Sequence, residues 1–335
     1  MMITTETFLP LPNGDTYVRI DTPAAAAAQV APSVVEEGVP TGVTFLLVHG
    51  ATVPHWQFDR LVPILAANAA ASGRPLHRII RMDLYGHGKS ARPSKHVRHD
   101  ISLFIDQVLG VIQHYRLDQH ADNDNNGQSL IALGHSLGAA VLVGVASSFA
   151  NRRQTIFQHL ILSAPMLDFM QLNPHVKIMT IPCVGELVMK FVLDPFLRKR
   201  RKKRNNISCK QKLKECFDGT TLLQMFRDRA LGDQSMVYQR FGEQLRSSLM
   251  DSEQQQTTTR ILVLWGSNDK VVNGHHISRI IDLLDPLSLD NGPRVVELER
   301  LEGLEHNQLS ADPHRCAKAI FSRLALSSGN NPSII

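Results

Sequence analysis

An α/β fold, a mainly parallel sheet with helices on both faces, is predicted by three observations in this 335-residue chain. Short apolar runs alternate with segments of helical length. A G-x-S-x-G at Gly134–Gly138 stands between one such run and an Ala/Val-rich stretch of helical length. The alternation then breaks after Ser163-Ala164-Pro165 and resumes at Arg260, leaving a long and mostly helical insertion between two strands.

The elements follow in order. Phe8 to Asp21 reads as a hairpin turning at Pro12-Asn13-Gly14-Asp15. Residues 22–42, rich in Ala, Pro and Val, read as a surface loop. A strand at 43–48 leads to a helix near 57–71, and a strand at 77–83 leads to a helix near 100–115. Asp118 to Gln128 is too hydrophilic to be buried and reads as a loop. The run from Ser129 is the next strand, and the helix after Ser136 follows it. His159–Ser163 is a further strand. From Met166 to Glu253 the pattern is helical apart from one basic run, although Pro182 and Gly185 argue against a single continuous helix. A polar tract at Gln254–Thr259 precedes strands at Arg260–Gly266 and Arg294–Glu299, and a last helix begins near Asp312. The chain thus divides into a core at 1–165, a cap at 166–257 and a second core part at 258–335.

The chemistry centres on Ser136. A strand running through a tight turn into a helix holds such a serine in strained backbone geometry, its hydroxyl clear of the sheet edge. Gly134 and Gly138 flank it because a β-carbon at either place would collide with the turn. A serine needs a base, and the base needs an orienting acid. Asp269 lies in the turn-rich loop after the strand 260–266, and His306 lies in the loop after the strand 294–299. Asp168, after the strand 159–163, is the rival acid. Glu302 and Glu305 stand too close to His306 in sequence to orient it and read as solvated charges. An oxyanion hole needs two N–H donors. Leu137, at the helix start, is one candidate. Ala51, in the loop after the strand 43–48, is the other, with Gly50 letting the backbone turn and His49 holding the loop.

The pieces Val48-His49-Gly50-Ala51, Asp83-Leu84-Tyr85-Gly86-His87-Gly88-Lys89-Ser90, Gly134-His135-Ser136-Leu137-Gly138, Trp265-Gly266-Ser267-Asn268-Asp269 and the late His306 together resemble the serine hydrolases of the α/β-hydrolase superfamily, in particular its monoacylglycerol lipase and esterase group. The resemblance spans roughly residues 42–165 and 258–327. It implies that the Asp83 loop shapes the site without entering the chemistry. Many relatives carry Gly where this chain has Glu305. A serine at the elbow speaks against the dehalogenases and epoxide hydrolases of this fold, which use a carboxylate. There is no G-x-x-x-x-G-K-[ST] and no His-x-x-x-x-Asp acyltransferase signature. Hydrolysis of carboxylic esters, lipid-like acyl esters such as monoacylglycerols among them, is the implied reaction, with no cofactor. A proline-iminopeptidase-like peptidase or amidase, and a non-catalytic binding protein of the same fold, are the alternatives.

Charge is uneven. The net charge is +5, yet residues 166–257 hold 16 Lys/Arg against 10 Asp/Glu, so the whole positive excess lies there. Arg198, Lys199, Arg200, Arg201, Lys202, Lys203 and Arg204 form its centre. Such a run reads as an exposed solvated loop, a contact with an anionic membrane, or a localisation or nucleic-acid patch. Without stacking aromatics no nucleic acid is expected. Cys183, Cys209, Cys216 and Cys316 show no metal or disulfide spacing, which suits reduced thiols in the cytoplasm. No signal peptide is expected from Met1–Asp21, and no apolar run approaches the ~18 residues of a membrane span.

Overall fold

The computed structural model describes residues 1–27, 42–94, 96–120, 128–152, 154–172, 174–196, 199, 219–250, 259–285 and 295–326. Most of the expected loop at 22–42, most of the polar loop before Gln128, the tract 251–258, Cys209, Cys216 and, Lys199 apart, the basic run lie outside the described residues.

Eight described strands form one sheet: β1 (Met2–Leu11), β2 (Gly14–Pro23), β3 (Gly42–Val48), β4 (Leu76–Met82), β5 (Gln128–His135), β6 (His159–Ser163), β7 (Arg260–Gly266) and β8 (Val296–Leu301). Their order is β1-β2-β4-β3-β5-β6-β7-β8. β1 and β2 form the expected hairpin, β2 pairs antiparallel with β4, and every later pair is parallel. The central strands are buried on both faces, as a helix-covered parallel sheet requires. In β3, Phe45 and Leu47 join one apolar layer while Leu46 and Val48 join the other. Alternation along a strand thus feeds two cores.

Helices cover both faces. On one lie α1 (Val62–Ala71) and, at the C-terminal end of the chain, the helix Pro313–Leu326; Phe58, Leu65, Ile320 and Phe321 pack there. On the other lie α2 (Ile101–His114), started by the Asp100 carboxylate accepting the Ser102 N–H at 3.0 Å, and α3 (Leu137–Ala150). The helix predicted near 57–71 is split: a short 3-10 turn at His55–Phe58 precedes α1, and Pro63 sits in the first turn of α1. β8 begins and ends two residues later than predicted. It is the sheet edge, where Glu299 and Arg300 continue the strand with their side chains at the solvent rim.

Between β6 and β7 the described chain is helical: α4 (Val184–Val188) running on through a π turn at Met189–Leu193, α5 (Gly219–Arg227) and α6 (Ser235–Met250). α6 packs on α3 and on α7 (Gly274–Leu284), with Tyr238 and Phe241 in the same apolar cluster as Leu142 and Ile280. The beginning of this stretch meets the beginning of α6, since Gln234 N–H donates to Leu167 O at 2.9 Å and the Tyr238 hydroxyl donates to Met166 O at 3.0 Å. None of the described helices is long and apolar enough to cross a membrane.

Candidate active site

Ser136 is the turn residue between β5 and α3, with φ 54° and ψ −115°. A non-glycine residue there costs about 1–3 kcal/mol and persists only where its surroundings hold it. The holding contacts are visible. Ser136 N–H donates to Ser163 O at 2.9 Å, and Met166 N–H donates back to Ser136 O at 3.2 Å. A β-carbon on Gly134 would stand 2.5 Å from Gly138 O, and one on Gly138 would stand 2.3 Å from Val48 O. Both glycines are therefore demanded by close approach of backbone, as the spacing predicts. α3 opens at Leu137, so the first N–H groups of the helix lie at the turn without intrahelical acceptors.

His306 and Asp269 are brought together. His306 Nδ1 lies 2.8 Å from Asp269 Oδ2. The other carboxylate oxygen accepts Val271 N–H at 2.7 Å and Val272 N–H at 2.9 Å. The loop is braced by the Trp265 indole, which donates to Val272 O at 2.9 Å. With the carboxylate as acceptor the proton sits on Nδ1, leaving Nε2 the basic nitrogen. Asp168 instead accepts Gln171 N–H at 2.9 Å, in the turn after β6. Glu302 pairs with Arg300 at 2.8 Å on the exposed rim.

The loop after β3 lies against the turn of Ser136: a β-carbon on Gly50 would be 3.1 Å from Ser136 Cβ. Leu84 N–H donates to His49 Nε2 at 2.9 Å, so the His49 proton is on Nδ1, which donates to Gly50 O at 2.7 Å. Burial, with His87 adding to it, pushes His49 down to about 3, so this tautomer persists at neutral pH. Because the peptide is planar and trans, fixing Gly50 O fixes the Ala51 N–H on the opposite side. Beneath, Asp83 accepts His55 N–H at 2.7 Å, His55 Nδ1 at 2.8 Å and Lys89 N–H at 3.0 Å. Burial raises its carboxyl, but the hydrogen bonds and charge of His55 outweigh that and hold it below the usual carboxylate range.

Three contributors escape sequence reasoning. His87 sets Nε2 2.7 Å from Ala51 O and Nδ1 2.9 Å from Tyr85 O, so it grips the peptide next to that of the Ala51 N–H. His135 packs against His306, ring centroids 4.8 Å apart and planes tilted by 52°. Gln308 donates to Ser163 Oγ at 3.0 Å and Leu264 O at 2.7 Å, under the turn. His87 and His135 stand inside motifs already quoted, but only the fold shows what they touch. Among the described residues no group of His, Cys, Asp or Glu is arranged to hold a metal.

The comparisons bear on the family and the fold. A profile described as serine aminopeptidase, S33, matches residues 41–309. No curated protein sequence matches significantly. Solved structures with the same fold include an esterase from Exiguobacterium antarcticum, at 14% identity and TM-score 0.62, covering 96% of this chain and 99% of the other. An enol-lactonase from Burkholderia xenovorans LB400 has 12% identity and TM-score 0.60, over 95% and 99%. A thermophilic esterase from Thermogutta terrifontis has 14% identity and TM-score 0.58, over 96% and 98%. At such identities the likeness is one of fold. The match over residues 41–309, with the sheet and the elbow it contains, makes the chain a member of the serine aminopeptidase S33 family of α/β-hydrolases.

Proposed function

We propose that the protein hydrolyses carboxylic esters, lipid-like acyl esters above all, through an acyl-enzyme on Ser136. The observation that carries this reading is the 2.8 Å contact of His306 Nδ1 with Asp269, with the imidazole packed against His135, the neighbour of Ser136. His306 Nε2 takes the hydroxyl proton as Oγ attacks the ester carbonyl, and the developing oxyanion is met by Ala51 N–H and Leu137 N–H. Asp269 holds the ring and stabilises the imidazolium. The same proton passes to the departing alkoxide. Water, deprotonated by His306, then attacks the acyl-enzyme and frees the acid and Ser136. His49, Gly50, Gly134 and Gly138 shape the two loops.

A second reading, cleavage of peptides or amides, is favoured by the family description. An aminopeptidase needs acidic groups to receive a free amine. The 166–257 insertion that we take for the cap is net positive, and its Glu186 is engaged by Arg227 at 2.7 Å, which supports the ester reading. The deciding experiment is a panel of acyl esters and aminoacyl anilides with wild type and Ser136→Ala. A fluorophosphonate should label Ser136 alone, and the variant should lose roughly 10⁴-fold or more in ester turnover. Unaltered turnover in Ser136→Ala removes the nucleophile assignment, and preference for anilides replaces the ester reading with the second.

A further inference from the structure

The stretch from Ile178 to Phe196 is apolar on the wrong side. Its inner side is already satisfied: Met179 and Met189 are buried, and Gly185 is pressed against Met179 O and Leu223. Its outer side nonetheless presents Ile181, Leu187, Phe191, Val192 and Phe196 to solvent, with Phe191 65% and Val192 61% exposed. Seven of the thirteen large apolar side chains exposed among the described residues fall in these nineteen positions. Isolated exposed apolar residues need no explanation, but a concentration of this kind marks a surface that is covered in use.

What covers it is indicated by charge. Lys177, Lys190 and Lys199 are exposed around the apolar row, and Lys190 Nζ lies 5.2 Å from the centroid of the Phe191 ring. Of the two acids in the stretch, Glu186 is taken up by Arg227 and Asp194 is half-buried beside Leu193, so the exposed charge around the row is carried by lysines. In sequence the row leads directly into Arg198–Arg204. A second copy of this chain meeting itself across a two-fold axis would set this cationic rim against its own image. An anionic bilayer meets both requirements, taking Phe and Leu side chains at the headgroup boundary while lysines snorkel to the phosphates.

We propose that the face formed by Leu187, Phe191, Val192 and Phe196 docks on the surface of an anionic lipid bilayer, with its flanking lysines at the headgroups. The contact is peripheral and does not depend on which acyl bond the enzyme cuts.

The test uses the full chain and sedimentation with vesicles of phosphatidylcholine alone or with phosphatidylserine added, at low and high salt. Wild type should sediment with the anionic vesicles at low salt and not with the neutral ones. A variant combining Leu187→Ser, Phe191→Ser and Val192→Ser should lose at least about tenfold of that binding while keeping turnover of a soluble short-chain ester. A separate Phe191→Trp protein, conservative enough to fold, should blue-shift its emission on anionic vesicles alone. Equal sedimentation of wild type and triple variant overturns the proposal, as does an unmoved emission from Phe191→Trp. So does a wild type that ignores vesicles but self-associates through this face, which would then be an interface between copies.

Discussion

The two carboxylates that follow strand ends, Asp168 and Asp269, illustrate what a single residue's surroundings decide. Both stand at the same sheet edge in sequence logic, yet only Asp269 has the imidazole at hydrogen-bond distance. Asp269→Asn should lower turnover about 10³–10⁴-fold, and Asp168→Asn should leave it nearly unchanged; steady-state kinetics on one soluble ester checks both, and the reverse pattern refutes the pairing. His87 acts at one remove. Without it, Ala51 O loses the 2.7 Å contact that steadies the peptide beside the proposed oxyanion donor. His87→Ala should reduce kcat about 10- to 100-fold with KM little altered, less than loss of a donor outright, and His87→Gln should restore part of it. A change confined to KM would deny the positioning role. Ser136, Asp269 and His306 are legible in the sequence because each directly follows a recognisable strand or loop signal. His87, His135 and Gln308 are not, because Ala51, His306, Ser163 and Leu264, which they touch, are distant in sequence and meet them only in the fold.

At the scale of elements, the close crossing of β3 and α3 carries the site. Gly138 lets the helix start approach Val48 O and His49 O, so Gly138→Ala should cost about 1–3 kcal/mol and abolish most turnover together. Gly219 is the control, since a β-carbon there would make an ordinary 3.5 Å contact with Met189; Gly219→Ala should change neither melting nor turnover. The inner parallel strands β3, β5, β6 and β7 are readable from apolar runs alone, because burial on both faces leaves no other pattern, whereas the edge strand β8 alternates. α7 is hard to read from the sequence although Ile277, Ile280 and Leu284 repeat with helical spacing behind the Asn273 cap, which accepts His276 N–H at 3.0 Å. Its two histidines and the turn signals before it hid that repeat. α6 read as part of a lid because its sequence is as polar as its neighbours'. Its inner row, Tyr238, Phe241 and Leu245, belongs to the core around α3.

For the molecule as a whole, buried imidazoles set the response to acid. Burial lowers His49 to about 3 and His159 to about 4, and lowers His276 as well. Between the ordinary histidine value and these lowered ones the unfolded chain binds protons that the folded chain refuses. Stability is therefore full above about pH 6.5 and falls as pH drops below it. The Asp83 carboxyl adds to the loss only further down, since its lowered value acts below the ordinary carboxylate range. His159→Gln should shrink the drop in Tm between pH 7 and pH 5 by the equivalent of at most about 2 kcal/mol. A drop as large as that of wild type would show that His159 does not contribute.

The hydrogen bonds that tie Gln234 to Leu167 and Tyr238 to Met166 make the enclosed span a closed loop with its ends knotted at one point on the sheet edge. Added length inside such a loop is thermodynamically cheap, since doubling it costs only about 0.6 kcal/mol of closure entropy. The span can accordingly vary in length without disturbing how the sheet folds. A short Gly/Ser insertion after Asn206 should leave the Tm nearly unchanged, whereas the same insertion after Ala164, outside the knot and beside the Met166 N–H to Ser136 O bond, should lower it and disable the serine. If both insertions prove equally harmful, the two tethers do not isolate the span, and its length is bound to the stability of the sheet.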